Sequence, residues 1–287
     1  MMKKLLLIEW LITYEKILKR RLDSGEIKQK TANDYKRMIW FCINKWPMVP
    51  LIDITVSDIT EAIMEKGKDA PFAARRLRIN ISDVFVEAQR AGCIPLGHNP
   101  AIVSRKPFTY VSTERLTLEE FLRIFRAAKY VAPDYFQVAL LLALVTGQRP
   151  SDLCNMKRSD VKAGFLHIKQ LKTGERIALP LGLTLEAIST SLEDVLSICE
   201  DQGPLIQSRG KQVNTWTLSR WFRICRMQAG VTAINGTPPT FREQRSLSER
   251  LYRAQGLDTQ TLLGHKSRKM TDSYNDIRGK GYRVLSL

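Results

Sequence analysis

LGHNPAIVSRKPFTYVS, residues 96–112, ends the helical hydrophobic pattern before it and substitutes Gly97, Pro100, Ser104, Arg105, Lys106 and Pro107. Glycine and proline interrupt regular structure and basic residues favour solvent, so the stretch predicts an interdomain linker centred on residues 104–112. That divides the chain into residues 1–103 and 113–287. A chain of 287 residues with 44% apolar side chains can bury two cores of that size.

Upstream of the linker the pattern is helical. Leu7, Trp10, Leu11, Tyr14, Ile17 and Leu18 recur at helical spacing, and Gly25 follows as a stop. Thr31 and Asp34 read as a capping pair opening a second helix, with Tyr35, Met38, Ile39, Cys42, Ile43 and Trp46 inward and Pro47 ending it. A third helix is expected from Ser57 or Asp58. A fourth is expected over residues 72–91, burying Leu77, Ile81, Val84, Phe85 and Ala88. Arg75, Arg76 and Arg78 fall on its first turns, where they could meet phosphates or form a solvated face.

Downstream, Thr117 and Glu120 make a capping box, and a second helix over residues 135–145 stops at Gly147. Residues 165–170 alternate, Lys172-Thr173-Gly174 makes a turn, and residues 176–179 return, which predicts a β-hairpin with a lysine at its tip. Helices are expected over residues 183–200, 217–229 and 243–255 and around Leu262. The fold class is mainly α with a small β-sheet.

Lys and Arg number 45 against 29 Asp and Glu, a formal net charge of +16. The obvious partner is a polyanion, with nucleic acid ahead of a membrane surface. The apolar run near the start is broken by Glu9 and followed by Lys16, so it is not a convincing signal peptide, and no uncharged window approaches the ~18 residues of a membrane span. Cys42, Cys93, Cys154, Cys199 and Cys225 are odd in number and widely spaced. They indicate neither a disulfide framework nor a zinc site and fit a reducing cytoplasm.

No GxxxxGK[ST], GxSxG or HExxH occurs, and His98, His167 and His265 give metal catalysis little to build on. What remains in the second half is a set of arginines, a lysine, a histidine and a tyrosine. Breaking a phosphodiester without metal requires neutralising two non-bridging oxygens, which guanidinium forks do bidentately. It also requires a nucleophile that forms a covalent intermediate and an acid for the departing 5′ oxygen, a role open to a lysine whose pKa neighbouring cations lower.

TGQRPSDL at residues 146–153 resembles the first arginine box of the tyrosine recombinase (phage integrase) family. The resemblance continues in order with Lys172 in a hairpin turn and with REQRSLS at residues 242–248, which resembles the second box, usually His-x-x-Arg. LLGHKS at residues 262–267 then precedes Tyr274, nine residues after His265. Phrases of the lambda type at residues 14–18, 27–31, 145–149 and 263–267 extend it over nearly the whole chain. Lys169 is a rival to Lys172 but lies within the strand, and Tyr252 and Tyr282 lack the upstream Gly-His.

The resemblance implies a helical core-binding (SAM-like) bundle followed by a mixed α/β catalytic domain. It implies a site-specific recombinase that cuts and rejoins DNA through a 3′-phosphotyrosine, for integration or excision of a phage or mobile element, without metal or cofactor. Arg149 and Arg245 would clamp the scissile phosphate, Lys172 would be the general acid, His265 would hydrogen-bond a phosphate oxygen, Tyr274 would attack, and Asp152 would orient Arg149. Arg75, Arg76, Arg78, Arg105 and Lys106 are candidate DNA contacts.

Implied partners are duplex attachment sites, three further copies of the chain in a tetramer passing through a Holliday junction, a host DNA-bending protein and an excisionase. The implied location is the cytoplasm, at the bacterial nucleoid. In the tail, Tyr282-Arg-Val-Leu285 is expected to form a short strand packed on a protomer.

Two departures stand out. Arg242 occupies the usual histidine position; an arginine donates hydrogen bonds but does not exchange protons near neutral pH, so a third phosphate clamp is expected. The lambda type also carries a further small arm-binding domain, to which nothing in this sequence corresponds. A non-catalytic DNA-binding remnant, a type IB topoisomerase and an Xer-type resolvase remain alternatives, separable by adduct formation and by topology assays.

Overall fold

The expected apolar stripes become buried faces in a computed structural model that describes residues 4–276. The chain divides between Val111 and Ser112. In the first unit α1 (Leu7–Asp23), α2 (Gln29–Lys45), α3 (Val56–Asp69) and α4 (Pro71–Arg90) enclose Trp10, Tyr14, Ile39, Ile59 and Phe85, and a short α5 (Pro100–Val103) follows.

Three details differ from the sequence reading. Helix α2 starts at Gln29, ahead of Thr31, because Asp34 faces the guanidinium groups of Arg37 and Arg76 instead of capping the backbone. Helix α3 is capped by Thr55, which accepts from the Asp58 amide at 3.1 Å. Residues 96–112 are not wholly irregular: Asn99 caps α5, Ala101 and Ser104 are buried, and Arg78 donates to the carbonyls of Ile102 and Ser104 at 2.6 and 3.1 Å. One helical turn is too short to leave a periodic signal.

The second unit is built around α7 (Asp134–Thr146), apolar around most of its circumference, whose last turns from Leu142 to Thr146 are buried on every side. Its neighbours include α6 (Leu118–Val131), and α8 (Pro150–Leu153) follows it. Strands β1 (Val161–Lys162), β2 (Phe165–Lys169) and β3 (Arg176–Pro180) form an antiparallel sheet in that order, with Leu166 opposite Leu179 and Ile168 opposite Ile177.

The helix expected over residues 183–200 is instead a small ladder of β4 (Thr184–Leu185) and β5 (Thr190–Ser191) leading into α9 (Leu192–Ser197). Ser189 is left-handed at φ +49°, and Ser191 and Asp194 form a capping box that starts the helix only at residue 192. A further ladder, β6 (Gln207–Ser208) with β7 (Lys211–Gln212), precedes α10 (Thr215–Gln228), α11 (Glu243–Ala254), α12 (Thr259–Leu263) and α13 (Arg268–Asn275). Helix α11 is predominantly polar yet buries Glu243, Gln244, Arg245, Ser246, Ser248 and Glu249. Such a helix needs polar partners on every side.

Candidate active site

Helix α7 ends on Gly147 at φ +63°, where a Cβ would lie 2.8 Å from Ser248 Oγ and 3.0 Å from Leu263 Cδ2. Only glycine fits both the conformation and the space. The turn it makes delivers Gln148 and Arg149 beneath the root of the β2–β3 hairpin.

There Gln170, 1% exposed, takes hydrogen bonds on Oε1 from Arg149 Nη1 at 2.7 Å and Thr173 Oγ1 at 2.9 Å. Its Nε2 donates to Gln148 Oε1 at 2.9 Å and to the Leu263 carbonyl at 2.8 Å. Gly264, at φ +58°, leaves room for that amide: a Cβ would stand 2.8 Å from its nitrogen. Asp152, 2% exposed, accepts from the Leu171 amide at 2.9 Å and lies 3.7 Å from Arg149 Nη1.

Arg245, on α11 and 3% exposed, donates to the carbonyls of Gly147 at 2.8 Å and Leu263 at 2.6 Å. Its Nη2 stands 3.0 Å from Nε2 of His265, and its guanidinium lies 5.5 Å from the ring centre of Tyr274. Burial, reinforced by the charge of Arg149, lowers its pKa.

His265 is held on its other side by Thr271, Nδ1 to Oγ1 at 2.9 Å, and its ring centre is 5.2 Å from that of Tyr274. Burial first, then the charges of Arg245 and Arg149, push its pKa down to about 4. Tyr274 belongs to α13, whose last carbonyls are gripped from two sides. Ser246 Oγ donates to Tyr274 O at 2.7 Å, and the buried Arg115 donates to Ser273 O at 2.6 Å and Asp276 O at 2.8 Å. Arg115 also pairs with Glu243 at 2.9 Å.

Lys172 sits exposed in the turn between β2 and β3, two residues beyond Gln170, whereas Lys169 is in β2 opposite Arg176. Arg242 is exposed at the N-cap of α11. Tyr252 is a core residue whose hydroxyl donates to Val145 O at 3.0 Å. In the first unit Arg75 donates to Thr109 Oγ1 at 3.1 Å and lines a cavity with Arg105 and Lys106, while Arg76 pairs with Asp34. The expected strand at Tyr282-Arg-Val-Leu285 lies outside the described residues.

Sequence reasoning missed Gln170, Thr271, Arg115 and Ser246. Gln170 left a signal: it continues the inward register of Leu166 and Ile168, where a polar residue is out of place unless it is bonded.

Among the described residues there is no group of three metal-ligating side chains, and no helix is long and apolar enough to cross a membrane.

Residues 114–280 match the model of the phage integrase family. The integrase of Enterobacteria phage P21 is 43% identical over 97% of this chain and 76% of its own, and that of Escherichia phage lambda is 39% identical over 97% and 78%. Among solved structures, a lambda integrase dimer bound to a COC′ core site superposes with a TM-score of 0.91 at 37% identity, covering 99% of this chain and 81% of that one. A lambda integrase tetramer bound to a Holliday junction gives 0.92 at 37% identity with the same coverage. With its ordered boxes gathered around Arg245 and its relatives alike over nearly their whole common length, this chain belongs to the phage integrase family of tyrosine recombinases.

Proposed function

We propose that residues 113–287 form the strand-cutting domain of a site-specific recombinase and that Tyr274 is its nucleophile. Arg149 and Arg245 neutralise the non-bridging oxygens of one phosphodiester, with Arg242 as a third clamp and His265 hydrogen-bonding a phosphate oxygen. The phenol gives up its proton to solvent as its oxygen bonds to phosphorus, the bond to the 5′ oxygen breaks, and Lys172 supplies the proton that the 5′ oxygen takes up. The 3′-phosphotyrosine preserves the phosphodiester's energy, so the 5′ hydroxyl of another strand can reseal it without ATP or metal.

The observation that carries this reading is the meeting at Arg245, where the guanidinium bonds His265, lies over the Tyr274 ring and feels the charge of Arg149. Its buried Nε has no partner among the described residues, a donor suited to an arriving anion.

Residues 1–103 serve as the core-type DNA-binding domain and residues 104–112 as the linker, with Arg75, Arg76, Arg78, Arg105 and Lys106 facing the backbone of duplex attachment sites. Four copies assemble on two duplexes and pass through a Holliday junction; a lambda integrase tetramer bound to a Holliday junction supports this reading. A host DNA-bending protein and an excisionase complete the assembly at the bacterial nucleoid.

The test uses a nicked suicide duplex bearing the attachment sequence that flanks the gene. Wild type is expected to leave a covalent protein–DNA adduct, and Tyr274→Phe to bind the duplex without one. An adduct in the variant overturns the assignment.

A further inference from the structure

A primary amide has two lone pairs and two N–H donors, and Gln170 uses all four from a buried position. Its orientation is fixed by chemistry, since a guanidinium only donates and the Leu263 carbonyl only accepts. The four partners come from three separate segments: the turn after α7, the hairpin that carries Lys172, and the end of α12, which leads into His265. The glycine at 264 is needed where this amide sits.

We propose that Gln170 is a positioning residue for strand cutting: it sets the guanidinium of Arg149 and ties that setting to the Lys172 hairpin and the His265 loop. The inference rests on the reading of Arg149 as a phosphate clamp. Without the amide oxygen, the remaining anchor for Arg149 is Asp152 at 3.7 Å, beyond hydrogen-bond length, so the fork can rotate. An arginine misplaced by about an ångström still attracts DNA but meets the phosphate badly, and such errors reduce rates by as much as ~100-fold.

Gln170→Met keeps the side chain's length and removes its hydrogen bonds. On the nicked suicide duplex its single-turnover cleavage rate is expected to fall between about tenfold and a hundredfold, with Kd for the duplex within about threefold of wild type. Gln148→Met breaks the same network without removing the bond to Arg149, so at a comparable loss of melting temperature it is expected to cleave faster than Gln170→Met. A Gln170→Met rate within about twofold of wild type, or equal rates in the two variants at equal melting temperature, overturns the proposal.

If Gln170→Met does not fold, Gln170→Asn decides. Its amide stays polar in the buried network but ends one methylene short of Arg149, and cleavage is expected to drop at least about tenfold with folding retained. A rate within about twofold of wild type again overturns the proposal. Absence of any adduct with wild type defeats the reading of the site itself, an outcome distinct from a wild type that cuts beside a Gln170 variant that cuts equally well.

Discussion

Arg245 Nη2 stands 3.0 Å from His265 Nε2 in the second unit, while His265 Nδ1 meets Thr271 Oγ1 at 2.9 Å. A guanidinium cannot accept, so Nε2 accepts and the ring proton resides on Nδ1, donated to the threonine. For the ring to donate to a phosphate oxygen, a proton must reach Nε2. An anion that draws Arg245 toward itself and adds negative charge beside the ring favours that change.

The same pair predicts a pH dependence of stability. His265 falls from an ordinary 6.5 to about 4 on folding, so between those values the unfolded chain binds the proton and the folded chain does not. Stability from this group is complete above pH 6.5 and is lost as pH falls toward 4, by on the order of 3 kcal/mol. Urea midpoints from pH 7.5 to about 4.5 are expected to fall more steeply in wild type than in His265→Gln. Identical slopes in the two proteins would assign the effect to another group.

Arg242→His restores the residue usual in the family at an exposed helix cap. Single-turnover cleavage is expected to hold or rise. A loss beyond about tenfold, near 1.4 kcal/mol of barrier, would show that the arginine has its own specialised task here.

Gly264→Ala forces a Cβ to within 2.8 Å of the Gln170 amide nitrogen at a left-handed φ of +58°. Left-handed backbone costs a residue with a Cβ about 1–2 kcal/mol, and the displaced amide adds to that. Chemical denaturation is expected to show a loss of about 2–3 kcal/mol. A variant as stable as wild type would mean that this loop yields freely.

Arg115→Met removes a buried ion-pair partner of Glu243 and releases the carbonyls of Ser273 and Asp276, on either side of Tyr274. Breaking one side of a buried ion pair costs about 3–5 kcal/mol. Denaturation measures that loss, and adduct formation is expected to slow as well because α13 is less firmly held. A change under about 1 kcal/mol would show that the pair is dispensable.

Much of this protein was legible along the chain because local rules operate locally. Helices with an apolar stripe, the Thr117–Glu120 cap, the Gly147 stop and the lysine-tipped hairpin all follow from spacing and turn chemistry, and they match the structure. The reading failed where short elements carry no period, as at α5 and at the β4–β5 ladder, and where a side chain preferred a distant partner, as Asp34 prefers Arg76 to its own backbone.

By itself the sequence determined the order of the boxes, the charge that calls for a polyanion, and the identity of the residues able to handle a phosphodiester. Only the tertiary structure decided which polar groups meet. The bond of Arg149 to Gln170, the tautomer of His265 against Arg245, and the grip of Arg115 and Ser246 on the end of α13 join residues from 20 to 161 positions apart. No local pattern encodes such pairs, because a buried polar atom is satisfied by whatever the packing of the whole domain brings within about 3 Å.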